Sequence, residues 1–486
     1  MSEIACALIP LCFGLLILFG VVRGSNALLA LIVAAVLDLI IASYVAVNRP
    51  AGSTEYLLQN YFVVDASSVL FLMLISLIFA GIAIYYAHRV SFVELDQVEA
   101  PDNFCGRALI FFSFSVLAVL SNHLLAMWVF LELATFAIAP LIFAGRGGAA
   151  TAASWKYLLF SVAGLGFNFV GLMCLARAMG GAHGEHELTF FIDGLRAIPS
   201  LGESQWWKLG LALMVFGLGT KIGLAPMYTW CPDAYDEAPP AVTALMASVQ
   251  FSSVVLCLFR QIGLLRSFDQ TLVSEELIVM GLLSILIAAG HIIFATNYKR
   301  LIAYASINHA GSIAIGLAVA VNINAAYGLV LYVVSNAFVK AALFLTCGNI
   351  KAQFRTKEIK ALRGIIRVMP FSGWVFMVGV FALLGFAPFG SFLGEVTMLS
   401  NMTEGSYIIV FFIICVVLTL MLLACGRLLF PMIWGDAGDD GVKHQDPLGS
   451  NIASILFIVI LVSLGIYSPA PVSDLIKEVA STIVGR

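Results

Sequence analysis

Residues 220–240 read TKIGLAPMYTWCPDAYDEAPP, and the lysine in second place decides how the whole chain is read. Lys221 closes the apolar run LGLALMVFGLGT, which carries no charge after Lys208, and Pro226 comes five residues later. Whether that charge sits in a soluble core or at membrane depth is settled by composition. Hydrophobic residues make up 61% of the 486 and charged residues 11%, with a mean hydropathy of +1.02. A soluble domain carries about 25% charged residues, so this chain is of another class. Apolar runs of roughly 18 residues or more recur along its whole length, as spanning helices require. The net charge of −3 gives no reason to expect a nucleic-acid partner.

The reading outward from Lys221 gives an all-α polytopic membrane protein of about fourteen spans. They are 4–22, 25–47, 62–87, 108–121, 123–144, 155–178, 209–231, 240–264, 273–295, 301–320, 326–347, 370–400, 405–430 and 450–470. Only SNH parts the fourth from the fifth. The first lacks a basic flank and reads as a retained helix, not a cleaved signal. The polar connections 88–107, 183–208, 350–367 and 435–448 are too short to form domains. Loops after odd-numbered spans hold more Lys and Arg than the others, including Lys351, Arg355, Lys357, Lys360, Arg363 and Arg367 in one connection. The basic-loop bias then puts that connection in the cytoplasm and both termini on the outer side. Nine scattered cysteines without a CxxC pair suit small buried hydrophobes, so no disulfide framework, metal or other cofactor is expected in this chain.

The opening stretch has an echo. MVFGLGTKIGLAPMYTW (214–230) is similar to MVGVFALLGFAPFGSF (377–392), each with Met-Val and then Gly-x-Ala-Pro ending at Pro226 or Pro388. The copies fall in spans 7 and 12, an odd displacement, so they cross the membrane in opposite directions. Interrupted helices in inverted pairs mark the transport path in many transporters. A chance match in a glycine-rich chain is the competing explanation.

An ionisable group at mid-membrane costs roughly 2.5–3.5 kcal/mol on insertion scales, so each one requires a reason. Glu132 (WVFLELATF), Lys221, Lys340 (NAFVKAALFL), Glu395 (GSFLGEVTML) and His309 (YASINHAGS) all lie inside apolar runs. Lys156 (ASWKYLLF) lies near a helix start, where it is either part of the path or a snorkelling side chain. His309 can be explained by a hydrogen bond to a neighbouring carbonyl, and Glu132 with Lys221 by a structural ion pair. Proline frees backbone groups, and at membrane depth these are tolerated only beside protein or water. Lys221 and Glu395 stand beside such breaks, which suits a wet pocket and a proton relay needing no cofactor. Asp233, Asp236 and Glu237 read as a charged segment whose last two members form an acidic, solvated helix cap.

The blocks KIGLAPMYTWCPDAYDEAPPAVTALMAS, YKRLIAYASINHAGSIAIGL, NAFVKAALFLTCGNI, GFAPFGSFLGEVTML and FLELATF, all between about residues 60 and 430, resemble the antiporter-like membrane subunits of respiratory complex I, Mrp cation/proton antiporters and membrane-bound hydrogenases. The resemblance implies two inverted five-helix repeats. The chain then divides into helices 1–3 (1–107), a first repeat of helices 4–8 (108–264), a second of helices 9–13 (273–430), and a C-terminal loop with helix 14 (431–486). It assigns Glu132 and Lys221 to a first half-channel, Lys340 with His309 to a central axis, and Glu395 to the exit. Glutamate at 395 resembles the complex I subunit second from the outer end and the hydrogenase-4 component F type, and the run from Arg355 to Glu395, with KIGLAPMYTWCPDA, looks closer to the hydrogenase-type proteins. Three positions depart from the pattern: Ser252 stands where many relatives have a bridging lysine, Asn336 where histidine is common, and Asn297 in place of aspartate before Lys299-Arg300.

The function expected is proton translocation within a redox-driven complex of the group 4 hydrogenase or formate hydrogenlyase type. Its partners would be other membrane subunits, a peripheral redox arm and the lipid bilayer. Complex I, an Mrp-type antiporter carrying Na+ as well as protons, and a non-pumping scaffold are the alternatives.

Overall fold

The computed structural model describes residues 2–92, 101–144, 147–182, 189–265, 271–403, 407–436 and 446–484. The connections 88–107, 183–208 and 435–448 lie partly outside these residues. Among the described residues, 11 helices are long and apolar enough to cross a membrane, joined by the shorter apolar helices Glu3–Leu18 and Pro370–Leu383. Two of the expected spans are split: the seventh into Gln205–Lys221 and Trp230–Glu237, the twelfth into Pro370–Leu383 and Gly390–Ser400. The chain is a multi-pass integral membrane protein.

The helices overrun the apolar stretches that located them. Span 4 begins at Pro101, span 6 runs Gly148–Ala182 and span 11 runs Ile323–Phe354. Hydropathy marks only the lipid-matched part of a helix, whereas backbone hydrogen bonding continues through polar turns beyond it. Two elements were not anticipated. A hairpin pairs Glu55–Leu57 with Phe62–Val64, and Ala470–Val484 forms a final amphipathic helix with Ile476, Val479, Ala480 and Ile483 buried.

Burial sorts the helices into a centre and a periphery. Pro240–Leu264 and Ile323–Phe354 (spans 8 and 11) are buried on every side, and Tyr298–Val319 (span 10) nearly so. These three carry Gln250, Ser252, His309, Asn336 and Lys340, whose polar atoms lipid could not satisfy. Peripheral helices expose apolar side chains such as Leu29, Leu159, Ile409, Phe412 and Leu423, as a lipid-facing surface should. Close helix approach is permitted by glycine on both partners. Gly164 and Gly171 on span 6 meet Gly217 and Gly210 on span 7, and Gly328 meets Gly394 between spans 11 and 12.

Polar caps close both ends. At one, the hairpin, the SNH turn and the 189–196 segment meet through the bridges Phe62–Ser121 and His123–Phe191. There Arg260, at the end of span 8, donates to the Ser121 carbonyl, to Ser68 Oγ at 2.6 Å and to Asp65 Oδ1 at 3.2 Å. Burial alone would raise Asp65, but the Arg260 guanidinium and the Ser68 hydrogen bonds outweigh it and hold the carboxyl below its usual value. Asn297–Glu358 is the corresponding bridge at the other end.

Candidate functional site: a buried line of ionisable groups

Glycine, and not proline, ends both split helices. Gly223 has φ 86° and Gly385 φ 69°, the left-handed region that L side chains avoid. The Leu224 N–H bonds the Gly219 carbonyl at 2.9 Å, and the Phe386 N–H bonds the Phe381 carbonyl at 3.1 Å. These are equivalent Schellman-type closures. Pro226 and Pro388 come next inside the breaks, each after a cis peptide bond. The first expectation, a kink made by the missing proline N–H, is therefore corrected: each helix has already stopped five residues before its proline.

Groups freed at the first break find specific partners. Trp230 Nε1 donates to the Thr220 carbonyl at 3.0 Å, and the Ala225 N–H donates to Ser284 Oγ at 2.8 Å. Lys221 is the last helical residue and is 2% exposed. Its ammonium donates to Thr135 Oγ1 and, at 3.3 Å, to the Tyr157 hydroxyl. Glu132 lies one turn before Thr135 on span 5, buried, with Oε2 unpartnered among the described residues. No ion pair joins Glu132 to Lys221 among the described residues; Thr135 takes the ammonium instead. The structural-pair explanation accordingly lacks its direct contact, and the carboxylate lies a turn away.

At the second break, His309 Nε2 lies 3.0 Å from the Leu383 carbonyl, and Nδ1 lies 2.7 Å from Asn336 Oδ1. The carbonyl hydrogen bond considered from sequence is present, but its partner is the broken end of span 12. An imidazole facing two acceptors must donate twice and carry a charge. Turning the Asn336 amide, so that its nitrogen faces Nδ1, suits the neutral ring instead. Either protonation state thus has a fitting amide orientation. Glu395 is buried on Gly390–Ser400, and its Oε2 lies 2.5 Å from where a Cβ on Gly385 would stand. It makes no ion pair among the described residues.

Lys340 lies on span 11 between these two regions. It is fully buried, its Nζ has no hydrogen-bond partner among the described residues, and it lies 3.7 Å from the centroid of the Phe251 ring. Gln250 Nε2, Asn308 Oδ1, Ser335 Oγ and Asn336 Nδ2 are also buried without protein partners among the described residues. Buried polar groups in folded proteins are normally satisfied by protein or ordered water, so this axis suits hydration.

The remaining sequence candidate lies elsewhere. Lys156 pairs with Asp233 at 2.6 Å with half its side chain exposed, and Arg300 pairs with the same carboxylate at 2.5 Å. It is at the surface, beside the buried line rather than within it. Asp236 corrects the reading of a solvated cap: it is 5% exposed, accepts from Asn297 Nδ2 at 3.0 Å and pairs with Lys357 at 2.8 Å. Burial alone would lower Lys357, but the Asp236 and Glu237 carboxylates outweigh it and hold the ammonium above its usual value. Asn297 thus donates to a carboxylate that an aspartate at the same position would repel.

Sequence reasoning missed several residues. Lys299 is buried, with Nζ donating to the Asp236 and Ala238 carbonyls at 3.0 and 2.7 Å, and so caps the end of Trp230–Glu237. Asp38 is 1% exposed beside Cys6 and Ser76, with no ion pair among the described residues. Its signal, a carboxylate inside VLDLI, is the same one that finds Glu132. Tyr157 and Gln250 have no such signal.

Residues 121–422 match the family described as "NADH:quinone oxidoreductase/Mrp antiporter, TM". A hydrogenase-4 component F homolog of Methylacidiphilum infernorum is 28% identical over 347 residues, 70% of this chain and 72% of the relative. The NADH-quinone oxidoreductase subunit N of Desulforudis audaxviator is 31% identical over 298 residues, 60% of this chain and 57% of that one. A subunit of a membrane-bound sulfane sulfur reductase, an archaeal respiratory membrane complex, superposes with a TM-score of 0.86 at 21% identity, covering 99% of this chain and 97% of that one.

Proposed function

Because the chain belongs to the NADH:quinone oxidoreductase/Mrp antiporter family of membrane subunits, we propose that it translocates protons within a redox-driven membrane complex, of the group 4 hydrogenase or formate hydrogenlyase type. The observation that carries this reading is the set of buried ionisable groups, Glu132 and Lys221 at the first broken helix, Lys340 and His309 on the buried central spans, and Glu395 on the second broken helix. Such groups are costly at membrane depth and in membrane proteins usually mark ion pathways. The matching breaks at 222–229 and 384–389 support two inverted repeats, helices 4–8 and 9–13. Lys156, with Asp233 and Arg300, would flank the entrance on the cytoplasmic side.

In this reading Glu132 and Lys221 take up a proton, Lys340 and His309 hold it on the axis, and Glu395 releases it. Raising one charge against about 100 mV costs roughly 2.3 kcal/mol, which partner subunits carrying out electron transfer would supply. The partners are other membrane subunits and a peripheral redox arm. The protein lies in the inner, cytoplasmic membrane with both termini outside.

Likeness to a hydrogenase-4 component F homolog and the run from Arg355 to Glu395 favour the hydrogenase type. Likeness to subunit N keeps a complex I role as the second reading. Purifying the native complex through this chain separates them. A nickel-bearing large subunit is expected; a quinone-reducing NADH module would replace the first reading with the second. Sodium transport by the purified chain alone would favour the antiporter.

A further inference from the structure

The departure at Ser252 leaves no titratable side chain on span 8 between Lys221 and Lys340, yet the structure offers another connection. Tyr157 on span 6 is fully buried. Its hydroxyl accepts from Lys221 Nζ at 3.3 Å and donates to Gln250 Oε1 at 3.1 Å. Gln250 is 4% exposed, its Nε2 is unpartnered among the described residues, and the next residue, Phe251, carries the ring under the Lys340 ammonium. A continuous set of contacts therefore leads from the first lysine to the neighbourhood of the second.

The backbone explains why Gln250 and not Ser252 is in place. Leu245–Gln250 forms a π-helical turn within span 8. Such a turn inserts one residue and re-aims the side chains beyond it, and it recurs at functional positions. Residues two apart on a helix differ by roughly 200° in direction, so the face that brings Gln250 to Tyr157 turns Ser252 away. Ser252 is buried too, with an unpartnered hydroxyl among the described residues, but on the other side.

We propose that Tyr157 and Gln250 form a neutral relay carrying protons from Lys221 to Lys340 in place of a charged residue on span 8. The inference rests on the proton-translocating reading above. Tyr157 takes a proton from the Lys221 ammonium at its oxygen and gives up its own hydroxyl proton to a water. That water passes one to Lys340 Nζ, so Lys221 ends neutral, Lys340 ends charged and the phenol is restored. Gln250 does not titrate. It is a positioning residue: Oε1 holds the phenol hydroxyl between transfers, and the free Nε2–H fixes the water that accepts.

The test is proton flux in proteoliposomes of the intact complex, read by an internal pH dye and driven by an imposed potassium diffusion potential. Gln250→Met and Tyr157→Phe are expected to lower flux about tenfold or more, the rate equivalent of one lost hydrogen bond. Gln250→Glu, which keeps the Oε1 acceptor but loses the Nε2–H, is expected to recover only part of the flux lost in Gln250→Met, as a merely space-filling role would not require. Ser252→Ala is expected to leave it unchanged. Normal flux in Gln250→Met and Tyr157→Phe, with flux lost in Lys221→Ala, would overturn the relay alone. So would a loss in Ser252→Ala matching theirs. Normal flux in Lys221→Ala would overturn the proton-translocating reading itself. If Gln250→Met fails to assemble, Tyr157→Phe decides by the same readings.

Discussion

Replacing Gly385 with alanine tests the link between the second helix break and the carboxylate beside it. Gly385 has φ 69°, where an L residue costs about 1–2 kcal/mol more than glycine. A Cβ there would stand 2.5 Å from Glu395 Oε2, closer than side-chain contacts permit, so the carboxylate must also move. Gly223 is the internal control. Its φ is 86°, but the nearest atom to an added Cβ is Cys231 Cβ at an ordinary 3.5 Å. Gly223→Ala should therefore cost only the backbone penalty, about 1–2 kcal/mol, and leave the ionisable groups in place. Gly385→Ala should cost that and displace Glu395 as well. Thermal unfolding of the purified complex should give a lower midpoint for both variants, and proton flux should fall further in Gly385→Ala. Equal flux in the two variants, or a larger loss in Gly223→Ala, would mean that Glu395 is not displaced by a side chain at 385 or does not serve proton transfer.

Three further outcomes are expected. Asp65 has a folded-state value below its ordinary carboxyl value, so its contribution to stability is present above about pH 4 and is lost as pH falls through the lower folded value; Asp65→Asn should flatten the acid limb of a stability-against-pH curve, and an unchanged limb would contradict this. Asn336→Leu removes the amide that serves either protonation state of His309, and should change the pH profile of flux while sparing assembly, checked by flux at several pH values. Asp38→Asn, nearly isosteric beside Cys6 and Ser76 with no ion pair to lose among the described residues, should be tolerated within about 1 kcal/mol in thermal unfolding.

Much of the architecture was legible because lipid imposes a strong rule on sequence. Apolar length located the spans, and Gly-x-Ala-Pro located both breaks, although the stop belongs to glycine. Glu132, Lys221, Lys340, His309 and Glu395 were found because a charge in an apolar run is conspicuous, and all five are buried. What escaped was set by direction and not by composition. Glu132 and Lys221 look like a pair in sequence, but side-chain geometry delivers the ammonium to Thr135 and Tyr157. Asp236 sits in a polar stretch and reads as solvated, yet Asn297 and Lys357, distant in sequence, close over it. Gln250 carries no charge, and only the π turn shows which way it faces. The hairpin at 55–64 has strands of three residues, too short for alternation to register.

Lys221, buried and bonded to Thr135 and Tyr157, is proposed to belong to a proton path and not to a structural ion pair. The most direct measurement is the number of protons moved per electron pair in the reconstituted native complex, for Lys221→Ala against the unaltered protein. The expected result is an assembled complex that still transfers electrons but moves fewer protons. An unchanged proton-to-electron ratio in an assembled Lys221→Ala complex would contradict it.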